Sequence, residues 1–149
     1  MKHVLVTGGA GFIGSNFVRY LLSNDLAATV VNLDALTYAG SQENLVGLPH
    51  PAQHEFVQGD ICNRELVDSI LHKYDIDTIV HFAAETHVDR SIRDPEPFIR
   101  TNITGTYTLL ETARRFWLEE WNSPSEVHFH HVSTDEVYGS IMEGSFKET

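Results

Sequence analysis

The run Val132-Ser133-Thr134-Asp135-Glu136-Val137-Tyr138-Gly139 sets a hydroxyl and two carboxylates side by side where the apolar stretch Val127–Val132 gives out. A neighbouring acid and base can strip a proton from one substrate carbon and hand another to a leaving group. That requires the two carboxyls to titrate apart, by burial or by mutual repulsion. A solvated acidic turn is the alternative. A second constellation stands at the other end of the chain. Thr7-Gly8-Gly9-Ala10-Gly11-Phe12-Ile13-Gly14 follows an apolar stretch and opens an amphipathic one. The spaced Gly8, Gly11 and Gly14 permit a tight turn, close approach of backbone to a pyrophosphate, and close helix–strand packing. Unpaired N–H groups at the start of the following helix would meet the phosphates. Asp34, twenty residues beyond Gly14, could accept both hydroxyl protons of a ribose and would repel a 2′-phosphate, favouring NAD over NADP.

These groups need a frame. Short apolar runs alternate with longer amphipathic ones, the pattern of parallel strands joined by helices. Strands are expected at His3–Thr7, Thr29–Leu33, His54–Gln58, Thr78–Phe82 and Val127–Val132. Helices are expected over Gly11–Ser23 and Asn63–Tyr74, and a long one over Glu96–Trp121 carries Phe98, Ile103, Tyr107, Leu110 and Phe116 on or near one stripe. Pro95 and Pro97 suit its first turn or the loop before it. The segment from Asp34 to Pro51 reads as loop. The fold class is therefore α/β, a doubly wound parallel sheet of Rossmann type in one domain. Ligands of such sheets bind beyond the C-terminal strand ends. Those ends are Thr7-Gly8, Leu33-Asp34, Gly59-Asp60, Phe82-Ala83 and Ser133-Thr134, each carrying a small residue, a carboxylate or a hydroxyl. Asp60-Ile61 could hold an adenine, the acid taking its amino group and Ile61 covering its face; capping of the Asn63–Tyr74 helix by Asp60 is the equal alternative.

Composition bounds the partners. The 149 residues hold ten basic and 21 acidic side chains, a net charge of −11. A field of that sign disfavours nucleic acid and anionic membrane surfaces. No run of 18 apolar residues and no signal peptide is evident. The lone Cys62 cannot form an intrachain disulfide and fits a reducing compartment, so a soluble cytoplasmic protein is expected. His128 and His130 share a strand face, but no third ligand is evident and the strand is expected to be buried, so no metal is expected. Phe116, Trp117 and Trp121 are read as core or subunit interface. Arg90 and Arg93 could meet a diphosphate or form surface ion pairs.

With these residues assembled, the chain resembles the extended short-chain dehydrogenase/reductase family, and within it the 4,6-dehydratase branch that acts on dTDP-glucose. TGGAGFIGSN, LDALTYAG, GDI, HFAAETHVDRS, TNITGTYTLLE and HHVSTDEVYG carry the likeness along essentially the whole chain. The glycine motif marks the broad family; Ala84-Glu85-Thr86-His87-Val88-Asp89-Arg90-Ser91 with Ser133-Thr134-Asp135-Glu136 marks the branch. The resemblance implies a tightly bound NAD. Gly8, Gly11, Phe12, Ile13 and Gly14 would lie at its pyrophosphate, Asp34, Ala35, Leu36 and Thr37 at the adenosine ribose, and Asp60 and Ile61 at the adenine. Phe82, Ala83, Ala84 and Thr101 would line the cofactor. Thr86 and Thr134 would touch the sugar nucleotide, with Asp135 as general acid and Glu136 as general base. The family often has lysine at position 35 and serine at position 86. The implied reaction is oxidation at C4, elimination of water across C5 and C6, and reduction at C6. The likeness further suggests a homodimer packed through the long helices.

In this family a Tyr-x-x-x-Lys pair performs the C4 oxidation. None occurs here: Tyr20, Tyr38, Tyr74, Tyr107 and Tyr138 all lack a lysine four residues on. In the family that pair and the sugar-nucleotide domain lie further downstream. The expectation is thus a dinucleotide-binding portion, residues 1–149, of a parent about twice this length or more, unable by itself to oxidise sugar. A sugar-nucleotide 4-epimerase and a non-catalytic NAD-binding module are the rival functions.

Overall fold

In a computed structural model, residues 2–24, 28–120 and 126–147 are described. Five parallel strands form one sheet in the order β3-β2-β1-β4-β5: β1 His3–Thr7, β2 Thr29–Asp34, β3 His54–Gln58, β4 Thr78–His81 and β5 His128–His131. β1 lies at the centre, Leu5 level with Val31 on one side and Ile79 on the other. The chain moves outward through β2 and β3, then returns to the other side of β1 for β4. That reversal between β1 and β4 opens a crevice at their C-terminal ends.

The pleat assigns residues to two cores. Val4, Val6, Val30 and Val80 face α1 (Phe12–Asn24) and bury its Val18 and Leu22. Leu5, Val31, Leu33 and Ile79 face the opposite layer. That layer is α2 (Arg64–Lys73), with Val67, Ile70 and Leu71, and a long helix, with Leu109, Ala113, Phe116 and Trp117. The Trp117 indole N–H donates to the Ile76 carbonyl at 2.7 Å, fastening the long helix below β4.

The long helix, α4, spans 96–120 without a break. Glu96–Phe98 and Thr106–Arg115 alternate with π-type stretches at Ile99–Gly105 and Phe116–Glu120. Backbone angles stay helical through the joins, for example φ −63° and ψ −47° at Gly105. The expected stripe divides. Phe116 turns to the sheet, whereas Ile103, Tyr107 and Leu110 are exposed on the opposite face with Ile99. Phe116 and Trp117 are core; Trp121 lies outside the described residues.

Two other expectations change. A short helix, α3 (Val88–Arg93), follows β4 where only a motif was read. β5 is the sheet edge and is exposed rather than buried, only Phe129 tucking in against the core. His128 and His130 lie on the α1 side of that edge, where no described helix covers them. The one grouping of potential metal ligands among the described residues is Asp68, His72 and Glu120, elsewhere on the surface. No helix among them is long and apolar enough to cross a membrane.

Candidate functional site

The crevice is a cleft of about 870 Å³, within the range typical of ligand pockets. Its floor is the glycine turn. Gly8 takes φ +71° and its N–H reaches back to the Leu33 carbonyl at 2.9 Å. A Cβ there would stand 2.6 Å from the Ala83 nitrogen. A Cβ on Gly14 would collide with the Gly8 carbonyl oxygen. Glycine at these two positions is what lets α1 begin hard against the ends of β1 and β4. Phe12 and Ile13, highly exposed, stand at the start of that helix and line the cleft.

Asp34 closes β2 and is almost wholly buried at 8% exposure. Its Oδ2 accepts from the Ala10 N–H at 2.9 Å and its Oδ1 from the Leu36 N–H at 2.8 Å. Each oxygen retains a further lone pair, so a ribose can still be held. Gly40 was not anticipated: a Cβ on it would lie 2.7 Å from Asp34 Oδ1. Ala35 and Thr37 line the cleft. Leu36 does not, because its left-handed backbone (φ +52°) serves to turn its N–H onto Asp34.

Asp60 follows β3 and lines the cleft. It does not cap α2; Asn63 does, its Oδ1 accepting from the Leu66 N–H at 3.1 Å. The Asp60 carboxylate instead accepts from the Cys62 N–H and the Arg100 guanidinium, both at 2.8 Å. Burial pushes this carboxyl upward, but those two donors outweigh it and hold it below the usual aspartate value. Ile61 is 4% exposed and its side chain packs beneath Gly105. It nevertheless lines the cleft beside Asp60.

Between β1 and β4 the structure exposes a group that the sequence reading passed over. His81 is 1% exposed; its Nδ1 meets Thr7 Oγ1 at 2.6 Å and its Nε2 meets Thr106 Oγ1 at 3.0 Å. The signal was a histidine inside an otherwise apolar strand, which demands partners. Burial, with a smaller contribution from His131, pushes the His81 ring down to about 4. The neutral ring thus ties β1, β4 and α4 together behind the cleft. Because the folded ring binds a proton less readily than the unfolded one, its stabilisation is intact above about pH 6.5 and is lost as pH falls toward 4. The loss should be on the order of 3 kcal/mol. A ring titration followed by NMR should give a midpoint near 4; a midpoint at the ordinary histidine value would refute the assignment.

The loop after β4 carries Phe82, Ala83, Ala84, Glu85 and Thr86 along one wall. Asn102 of α4 grips it twice, accepting from the Glu85 N–H at 2.8 Å and donating to the Glu85 carbonyl at 2.9 Å. Thr101 lines the same wall. The Arg90 guanidinium stacks 4.3 Å over the Tyr38 ring.

Beyond β5 the chain enters a 3-10 turn, Asp135–Tyr138, capped by Thr134, whose Oγ1 accepts from the Glu136 N–H at 3.3 Å. The Thr134 hydroxyl also lies 3.3 Å from Asp135 Oδ1. Ser133, Thr134 and Glu136 line the cleft; Asp135 stands beside it, reached through Thr134. Both carboxylates are exposed, so burial does not distinguish them among the described residues. One cleft therefore joins a phosphate-sized glycine turn, a fixed ribose-type carboxylate, and a hydroxyl–carboxylate turn.

Residues 5–149 match the GDP-mannose 4,6 dehydratase family. The low-salt glycan biosynthesis protein Agl12 of Haloferax volcanii is 58% identical over 97% of this chain and 43% of its own. The crystal structure of DesIV, a dTDP-glucose 4,6-dehydratase from Streptomyces venezuelae with NAD bound, is similar with a TM-score of 0.84 at 48% identity, over 97% of this chain and 43% of that one. A UDP-Glc/GlcNAc 4-epimerase from Campylobacter jejuni also reaches a TM-score of 0.84, at 28% identity, over 100% of this chain and 42% of its own. The chain spans less than half the length of each. Equal TM-scores for a dehydratase and an epimerase leave the choice between those chemistries to the residues of the site.

Proposed function

This chain belongs to the GDP-mannose 4,6 dehydratase family, and from that premise we propose that its cleft is the NAD-binding half of a nucleotide-sugar 4,6-dehydratase acting on dTDP-glucose. The observation that carries this conclusion is that Gly8, Gly11, Gly14 and Asp34 share one cleft with Thr86, Thr134 and Glu136. The residues fit a dinucleotide: backbone at Gly8 and Gly14 is bare where a side chain would collide, and Asp34 is buried with both oxygens oriented. Phe12 and Ile13 would meet the pyrophosphate through their amides, Asp34 the adenosine ribose, and Asp60 the adenine. Phe82, Ala83, Ala84 and Thr101 would flank the other half. When bound, NAD supplies reversible hydride transfer at the sugar carbons.

The proton work falls to the chain's own groups. The Glu136 carboxylate would take the C5 proton, which a 4-keto group makes acidic. The Asp135 carboxyl would give a proton to the departing C6 hydroxyl. The Thr134 and Thr86 hydroxyls would orient the sugar. The adjacent carboxylates favour elimination over 4-epimerisation, which needs no such pair. No Tyr-x-x-x-Lys pair occurs within these 149 residues to take the C4 hydroxyl proton; residues 1–149 would supply the dinucleotide-binding part, as expected of a chain that spans 43% of the Agl12 and DesIV lengths. Exposed Ile99, Ile103, Tyr107 and Leu110 on one face of α4 support a homodimer, and a lone thiol, Cys62, supports a cytoplasmic location.

Calorimetric titration tests the cofactor assignment. NAD⁺ should bind one-to-one, and NADP⁺ should bind at least roughly tenfold more weakly because its 2′-phosphate meets Asp34. Equal affinity for the two would refute it.

A further inference from the structure

Asp60 is held in a manner that the dinucleotide assignment alone does not require. Its Oδ1 accepts the Cys62 N–H at 2.8 Å, its Oδ2 accepts the Arg100 guanidinium at 2.8 Å, and its own carbonyl accepts the Asn63 N–H at 2.9 Å. The Cys62 thiol in turn donates to the Arg100 carbonyl at 3.2 Å, so residue 100 grips the Asp60 turn through both its side chain and its backbone. Arg100 itself does not line the cleft; Asp60 does, beside Gly59 and Ile61.

A carboxylate offers about four lone-pair sites, and these contacts occupy two. Fixed and ionised, the group can only accept. A purine bearing a 6-amino group presents a donor to it at position 6; a 6-oxo purine presents a second, repelling acceptor there and carries its nearest donor at N1 instead. We infer that Arg100 is a positioning residue that orients the Asp60 carboxylate as an obligate acceptor and so makes this end of the cleft selective for a 6-amino over a 6-oxo purine. The inference rests on the dinucleotide reading proposed above. The competing account is an exposed ion pair of small energetic value and no role in recognition, consistent with the 64% exposure of the Arg100 side chain.

The two accounts part on selectivity rather than on affinity. The full chain, Arg100→Ala and Arg100→Lys are titrated with NAD⁺ and with nicotinamide hypoxanthine dinucleotide, which differ in the group at position 6 of the purine and in the proton that the 6-oxo form carries at N1. The unaltered chain should prefer NAD⁺. Arg100→Ala should shrink that preference by roughly fivefold, and Arg100→Lys, which keeps the cation, should restore most of it. Circular dichroism should show all three folded, since an exposed ion pair contributes little to stability. NAD⁺ binding with the same preference in all three proteins overturns the inference and leaves the dinucleotide reading standing. Failure of the unaltered chain to bind NAD⁺ overturns both.

Discussion

Glu136→Gln should lower keto-sugar formation by about 10²- to 10⁴-fold, the usual cost of losing a general base, while leaving NAD⁺ affinity unchanged. The assay uses a protein that carries this chain together with a Tyr-x-x-x-Lys pair. Glutamine keeps the shape of the side chain and the turn held by the Thr134 cap, so the loss would report chemistry rather than folding. Solvent deuterium separates the two acids. With Glu136→Gln the C5 proton should no longer exchange. Asp135→Asn should preserve that exchange and slow departure of the C6 hydroxyl. The division itself follows the family resemblance; in the structure Glu136 lines the cleft and Asp135 meets the Thr134 hydroxyl. A Gln variant within tenfold of the parent would refute the role of Glu136.

Gly8→Ala should destabilise the fold by about 2–4 kcal/mol and abolish NAD⁺ binding. Two costs coincide there. The backbone is left-handed at φ +71°, and the new Cβ would lie 2.6 Å from the Ala83 nitrogen and 2.8 Å from its Cα. Both are main-chain atoms at the end of the central strands and cannot swing aside. Gly47→Ala serves as the contrast. It shares a positive φ, +69°, but has nothing within 4 Å of its Cβ, so it should cost only about 1 kcal/mol. Urea unfolding of the two variants reads the difference directly; equal destabilisation would show that crowding at the β1–β4 junction is not what demands glycine.

Much of this was legible in the sequence because the signals are local. The apolar runs at His3–Thr7 and His54–Gln58 became strands with those bounds. The glycine spacing placed the turn between β1 and α1, and Asp34 fell at the end of β2. What escaped depends on contacts between distant segments. His81 acts through Thr7 and Thr106, 74 and 25 residues away. Gly40 is required by Asp34, and Asp60 is turned by Arg100, 40 residues on. The stripe on α4 was misjudged because periodicity marks an apolar face without saying what covers it. Phe116 meets the sheet, while Ile103, Tyr107 and Leu110 face outward. The apolar run at Val127–Val132 marks a strand, but its place at the sheet edge comes from topology.

The most direct test is to supply dTDP-glucose and NAD⁺ to a protein that carries this chain together with a Tyr-x-x-x-Lys pair. The products are then followed by the alkaline absorbance of a 4-keto-6-deoxy sugar. The cleft described here predicts that this product accumulates with no net consumption of NAD⁺. Inversion at C4 with the C6 hydroxyl retained, or tight NAD⁺ binding without turnover, would contradict it.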